Sequence, residues 1–251
     1  MRRLLLALFV LFLPLQAEAR GLESDISSDE IAITSRFAGT ELLLFGSKGP
    51  AALSEDEELD VIVVIHGPEI PMKIWRKERV AGIWVNSAPV EFDNVPGYYA
   101  VVSNRRLGAI TTAPYLRRQN IGPENLVLLA HNPNIEKERL AELRRAIVEN
   151  RQREGLYVID ESAVKFPSES LFRATIRFPA NVPVGEYRIL VRLFRNGEEI
   201  DRTSSLLTVG KRGLEQQIYT LAHTQPALYG LMAIFIAVSA GWLAAAIFRR
   251  S

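Results

Sequence analysis

The sequence predicts a mainly β fold: an immunoglobulin-like β-sandwich with a helical insertion, followed by a C-terminal transmembrane helix. Three observations carry this. Apolar and polar residues alternate with a period of two on both sides of a central helical stretch. An Asn196-Gly197 pair separates two long alternating runs, a strong short signal for a β-hairpin. Residues 227–248 hold no charged residue, over a length suited to a ~30 Å hydrocarbon core.

The chain has 251 residues, is 48% hydrophobic and carries a formal net charge of +1. That length suits one large domain or two small ones. The near-neutral balance gives no basic excess to displace counterions from phosphates, so nucleic acid is not an expected partner. There is no cysteine, which excludes disulfides, thiolate catalysis and cysteine metal sites. Charge is uneven: "AALSEDEELD" (51–60) carries five acids and no base, and "RRLGAITTAPYLRR" (105–118) carries four bases and no acid. Such runs are ordinarily solvated surface; the sharper alternative is a bipolar face that docks a partner.

The N-terminus, "MRRLLLALFVLFLPLQAEAR", opens on two arginines and a short apolar core from Leu4 to Leu13. Pro14 breaks that run, and Ala17-Glu18-Ala19 fits the small-x-small cleavage rule. Residues 1–19 therefore read as a signal peptide, with an uncleaved anchor as the competing possibility.

Residues 20–30 are polar and acidic and read as a loose lead-in. Strand-like runs follow at "IAITSRF" (31–37) and at "ELLLFG" (41–46), after a tight Gly39-Thr40 connection. "DVIVVIHG" (60–67) is apolar on both faces, which predicts a strand covered on both sides. "MKIWRKERV", "AGIWVN" and "PVEFDNV" read as short strands with turn residues between them, and "GYYAVVS" (97–103) closes the set.

The alternation then stops, and residues 104–155 read as the helical insertion. Asn132-Pro133 offers an N-cap followed by proline, and Gly155 supplies a stop. Between them Leu140, Leu143 and Ile147 share one helical face. Strands return at "LYVID" (156–160) and "LFRATIRF" (171–178), where Phe172, Ala174, Ile176 and Phe178 alternate with Arg173, Thr175 and Arg177. The Asn196-Gly197 hairpin puts Tyr187, Ile189, Val191 and Leu193 on one face of its first strand. The favoured organisation is one sandwich over residues 20–209 fed by both halves; two separate domains is the alternative.

"GLEQQIYTLAHT" places Leu214, Ile218 and Leu221 on one face and predicts a juxtamembrane helix over 210–225. The transmembrane helix follows at 226–248, with Pro226 in its first turn, and leaves a tail at 249–251. With an exported N-terminus, the tail stays inside, where Arg249 and Arg250 suit the positive-inside preference. Ala233, Ala237, Gly241 and Ala245 recur every four residues and form a small-residue face for close helix packing, with a second copy or with a larger membrane protein.

Catalytic signals are sparse. The histidines, His66, His131 and His223, have no i, i+4 partner, and there is no HExxH, no G-x-S-x-G and no P-loop. The expected catalytic, cofactor-binding and metal residues are accordingly none. What remains is the aromatic stretch around Trp75, Trp84, Phe92, Tyr98 and Tyr99. If the strands bearing Trp84 and Phe92 pair, their rings share a sheet face, and rings at strand spacing are more often core than platform. Polar residues flank them. The candidate partner contacts are therefore Asn86, Asp93, Asn94, Tyr98 and Tyr99. A protein, a peptide or a sugar would suit such a rim.

"AGIWVNSAPVEFDNVPGYYAVVS", "VPVGEYRILVRLFRNGEEI", "VGKRGLEQQIYTLAHTQPALYG" and "AGWLAAAIFR" occur in order over most of the chain. In these segments the sequence resembles an uncharacterised family of predicted transmembrane proteins from alphaproteobacteria. The resemblance implies a signal-bearing, single-pass protein of the bacterial inner membrane with a periplasmic domain and no assigned activity. It also suggests a membrane transporter as a partner class. The expectation is thus a non-catalytic periplasmic interaction module, an accessory subunit of a transporter or envelope complex. The alternative is an envelope hydrolase or carbohydrate-binding module using the aromatic 84–99 region.

Overall fold

The computed structural model describes residues 22–34, 36–49, 59–75, 77–80, 82–86, 89–132, 135–211 and 221–248. The expected signal peptide, most of the juxtamembrane helix and the three-residue tail lie outside these residues.

The described chain is mainly β. One sheet has four strands in the order β1-β3-β12-β11, with β1 at Leu22–Ile26, β3 at Thr40–Lys48, β11 at Val164–Lys165 and β12 at Leu171–Phe178. The second has six. Its strands are β2 (Glu30–Ile33), β4 (Leu59–His66), β9 (Tyr99–Ser103), β10 (Tyr157–Asp160), β13 (Gly185–Arg195) and β14 (Glu198–Lys211), in the order β10-β9-β4-β13-β14-β2. Strands from before and after the helical stretch thus interleave in both sheets. Two of the pairings, β9 with β10 and β2 with β14, are parallel. This departs from the antiparallel sheets of the expected immunoglobulin-like topology.

The parallel β9–β10 pair explains where the helices fall. Parallel neighbours need a crossover connection, and residues 104–156 are that crossover. It contains α1 (Leu107–Ile110), α2 (Ala113–Arg118), a 3-10 turn at Pro123–Asn125, and α3 (Lys137–Arg153). The α3 helix begins at Lys137, later than the Asn132-Pro133 signal, and its N-cap Glu136 makes no side-chain cap. Leu143 and Ile147 are buried as their shared face predicts.

One apolar core joins the two sheets and the start of the crossover. Phe172, Ala174, Ile176 and Phe178 point into it from β12, and Tyr187, Ile189, Val191 and Leu193 from β13. In β4, Leu59 through Ile65 are all buried. Ile65, Val63 and Val61 oppose Ile189, Val191 and Leu193 and share their face. Ile62 and Val64 point the other way, toward the side where Tyr115 of α2 meets Phe194 of β13 at 5.5 Å. A strand covered on both faces needs no polar side, which is why β4 reads as an unbroken apolar run.

Two glycines carry structural weight. Asn196 and Gly197 have φ of 50° and 92°, the positive values that a two-residue type I′ hairpin requires. Gly46 lies opposite Phe172 in the β3–β12 register, and the Phe172 ring covers it. A Cβ at Gly46 would fall 2.1 Å from that ring.

The C-terminal helix α4 runs Pro226–Phe248, 23 residues, with side chains described as far as Trp242. With α4 counted to Trp242, the last residue whose side chain is described, no helix among the described residues is long and apolar enough to cross a membrane.

Candidate functional site

Between β4 and β9 the chain leaves the sheets as a hairpin arm. Strand β5 (Glu69–Ile74) pairs with β8 (Val90–Pro96), and β6 (Lys77–Val80) pairs with β7 (Ile83–Asn86). The registers nest: Ile74 opposes Val90, and Lys77 opposes Asn86. The two pairs are successive sections of one ribbon. Trp84 therefore stands across from Arg79. The strands of Trp84 and Phe92 do not pair, so the shared sheet face expected for their rings does not form.

An isolated hairpin is marginal in water, so the arm needs support at its base. A second apolar cluster supplies it: Val90, Phe92 and Val95 of β8 pack with Leu128, Leu143 and Ile147. Residues 127–131 lie along β8 as a strap. Asn94 donates from Nδ2 to the Val127 carbonyl at 2.8 Å and accepts from the Leu129 N–H at 2.7 Å. The His131 N–H donates to the Glu91 carbonyl at 2.8 Å, and Arg144 Nε donates to the Leu128 carbonyl at 2.9 Å. Asn94 is half-buried and spends its amide on this brace. Asp93 is exposed and lies 3.2 Å from exposed His131, a surface contact of small energetic value.

Beyond the braced base three large apolar side chains face solvent: Trp75, at the junction of the two sections, is 50% exposed, and Ile83 and Trp84, next to the turn, are 66% and 69% exposed. Asn86 is exposed beside them. Side chains of this size that gain nothing from the core point to a contact made elsewhere.

Tyr98 and Tyr99 are corrected by the structure. Both are fully buried and present no surface to a partner. After Pro96-Gly97 the chain enters the doubly covered interior, so successive side chains go to opposite buried faces. Tyr98 stacks on Phe178 at 4.9 Å and donates to the Arg177 carbonyl at 2.8 Å. Tyr99 turns to the crossover, donates to the Asn120 carbonyl at 2.8 Å and accepts from the Gly122 N–H at 2.9 Å. Tyr157 and Tyr187 likewise hold the carbonyls of Pro96 at 3.0 Å and Pro183 at 2.6 Å. Burial pushes the pKa of all four phenols up. They are neutral clamps on loops. The expected roles are inverted: the tyrosines expected at a contact are core, and Trp84, expected in the core, is exposed. The local sequence signal for this is Gly82, with φ of 86°, at a turn between two four-residue strands.

A polar cleft of about 450 Å³ opens at the end of β4, lined in part by His66, Glu69, Asn120, Glu186 and Arg188. The His66 ring stands edge-on to Tyr99 at 5.0 Å. Burial, with Arg188 and Arg192 adding to it, lowers its pKa to about 4, so the imidazole is neutral near pH 7. Beyond it, buried Arg192 donates to Glu199 Oε2 at 2.6 Å, and the Tyr115 hydroxyl donates to the same oxygen. Trp84 does not line the cleft, so the aromatic 84–99 region does not assemble one site around a histidine. Among the described residues no three potential metal ligands gather.

Along α4, Ala233, Ala237 and Gly241 are exposed, and the side chain of Ala245 lies outside the described residues. Leu231, Ile234, Phe235, Ile236, Val238 and Trp242 are exposed as well, on all sides of the helix.

Among curated proteins none matches the chain. A family model does match, over residues 21–250, and the chain belongs to that family, described as Putative transmembrane protein (Alph_Pro_TM).

Proposed function

We propose that the chain is a membrane-tethered, exported interaction module with no catalysis of its own, and that it works as an accessory subunit of a membrane transporter or envelope complex. The observation that carries this is α4, an uncharged helix on which the apolar side chains of Leu231, Phe235, Val238 and Trp242 stand exposed. The non-catalytic reading is supported by how the buried polar groups are used. The tyrosine hydroxyls, Asp60, Asn104 and Arg192 are all engaged in bonds that join one element to another.

Tethering falls to α4. Its 23 residues extend about 34 Å at 1.5 Å per residue, against a ~30 Å hydrocarbon core. The sequence of the helix has no charged residue. A helix that is apolar all round and exposed all round suits lipid better than water. Export through residues 1–19 would place the β body in the periplasm. The small-residue face at Ala233, Ala237, Gly241 and Ala245 would let α4 pack against a partner helix or a second copy.

Cross-linking mass spectrometry on intact membranes tests the reading. Reproducible links from the β body or α4 to a membrane protein, or to a second copy, are expected. Recovery of neither contradicts it. Gly241→Leu with Ala237→Leu should weaken helix association in a membrane two-hybrid assay, and an unchanged signal rejects the small-residue face.

A further inference from the structure

We infer that the tip of the hairpin arm seats at the headgroup level of the bilayer that α4 anchors, so that the chain meets the membrane at two places. This rests on the tethering reading above.

The tip combines the residue types an interface favours. Trp75 and Trp84 present amphipathic indoles, and Ile83, the strand neighbour of Trp84, presents its side chain on the opposite face of the ribbon; all three are exposed. Indole rings settle where an apolar body and a polar edge are both accommodated, which is the headgroup boundary. Residues 73–84, "KIWRKERVAGIW", carry Lys73, Arg76, Lys77 and Arg79 against a lone acid, Glu78. Cations at that depth are drawn to anionic headgroups. Lys73 is held by Glu91 at 2.6 Å, and the sequence of the tip then carries three bases against Glu78.

The backbone permits the placement. From Lys77↔Asn86 to Val80↔Ile83 the two strands satisfy each other across the ribbon. Only edge groups remain, and at headgroup depth water and phosphate can meet them.

A protein partner fits the tip less well. The sequence from Trp75 to Asn86 offers twelve residues for contact, where a stable protein interface takes about 20–30 residues a side. Lysine is depleted at the centre of such interfaces, and Lys77 lies in this element. A bilayer needs no shape complementarity, so a narrow tip with two indoles suffices.

The chain has three tryptophans, Trp75, Trp84 and Trp242, so single-tryptophan variants separate the two contacts. The full chain is reconstituted in nanodiscs of zwitterionic lipid, with or without anionic phospholipid. The lipids are brominated at shallow or deep acyl positions, and quenching is read by fluorescence. Trp75→Phe with Trp242→Phe leaves Trp84 as the reporter of the arm. Trp75→Phe with Trp84→Phe leaves Trp242 as the reporter of the tether.

The expected result is loss of Trp84 emission with the shallow quencher, with a blue shift, stronger in anionic discs. Lys77→Glu with Arg79→Glu should abolish that loss while Trp242 remains quenched. Quenching of Trp242 with none of Trp84 overturns the arm contact and leaves the tether standing. If neither is quenched, both readings fall. An unquenched Trp84 whose position photo-cross-links to a membrane protein makes the occupant protein and likewise overturns the inference.

Discussion

The Tyr99 hydroxyl donates to the Asn120 carbonyl at 2.8 Å and ties strand β9 to the crossover that follows it. The same oxygen accepts from the Gly122 N–H. Tyr99→Phe keeps the ring and takes this partner from the buried Gly122 N–H and the half-buried Asn120 carbonyl. A buried group left unsatisfied costs about 1–3 kcal/mol. For a chain of this size each kcal/mol is worth about 2–4 °C in Tm, so a fall of several degrees is expected by calorimetry. A Tm equal to that of the wild type would show that the bond does not clamp the crossover.

Asp60 is buried and takes two hydrogen bonds from Arg105, at 2.6 and 2.5 Å, and one from Asn104 at 2.8 Å. Asn104 also accepts from the Val61 N–H. Asp60→Ala removes the acceptor of these three hydrogen bonds. Loss of hydrogen bonds to a buried charged acceptor costs about 1.5–3 kcal/mol, and the partial exposure of Arg105 keeps the remaining charge solvated. Chemical denaturation should show the loss as a lower midpoint with an unchanged slope.

Gly46→Ala tests the β3–β12 contact. The added Cβ meets the Phe172 ring, which must turn out of its site. Overpacking of this kind costs about 1–3 kcal/mol. Phe172→Leu in the Gly46→Ala background should recover part of it, because the two positions are direct cross-strand partners.

His66 gives a pH dependence. Its folded pKa is about 4, below the 6.5 of the free side chain, because burial and two arginines oppose the charged form. Below pH 6.5 the unfolded chain takes up this proton and the folded chain does not, so stability falls as pH drops from 6.5 toward 4. The full loss is on the order of 3 kcal/mol. His66→Gln should flatten the stability profile in that window. An unchanged slope would mean that other groups account for it.

The paired strands were the most legible part of the sequence. Alternation placed Phe172 to Phe178 and Tyr187 to Leu193 correctly, because one-sided burial writes a period of two. Asn196-Gly197 marked its turn because only a few residues adopt positive φ there. The parallel pairings were not legible. Nothing in "LYVID" says that it lies beside β9, since partner choice is decided by long-range packing and leaves no local mark.

The arm shows a harder limit. Trp84 and Phe92 have the same hydrophobic character, yet Trp84 stands in solvent and Phe92 is fully buried. The difference lies in what is underneath. Phe92 rests on Leu128, Leu143 and Ile147, while the β6–β7 section extends past the end of that support. Burial of a strand residue depends on a second layer that the strand's own sequence does not describe. Tyr98 and Tyr99 failed in the opposite sense, since flanking turns looked like a surface while both faces of the following strand were covered.

Site-directed cysteine labelling tests the central claim, a β body carried outside the membrane by α4. The chain has no cysteine, so each single variant yields one signal. In intact spheroplasts a membrane-impermeant maleimide should label Glu149→Cys, on the exposed side of α3, and should label Ser251→Cys only after lysis. Labelling of Ser251→Cys in intact spheroplasts with protection of Glu149→Cys, or recovery of the chain in the soluble fraction, would contradict it.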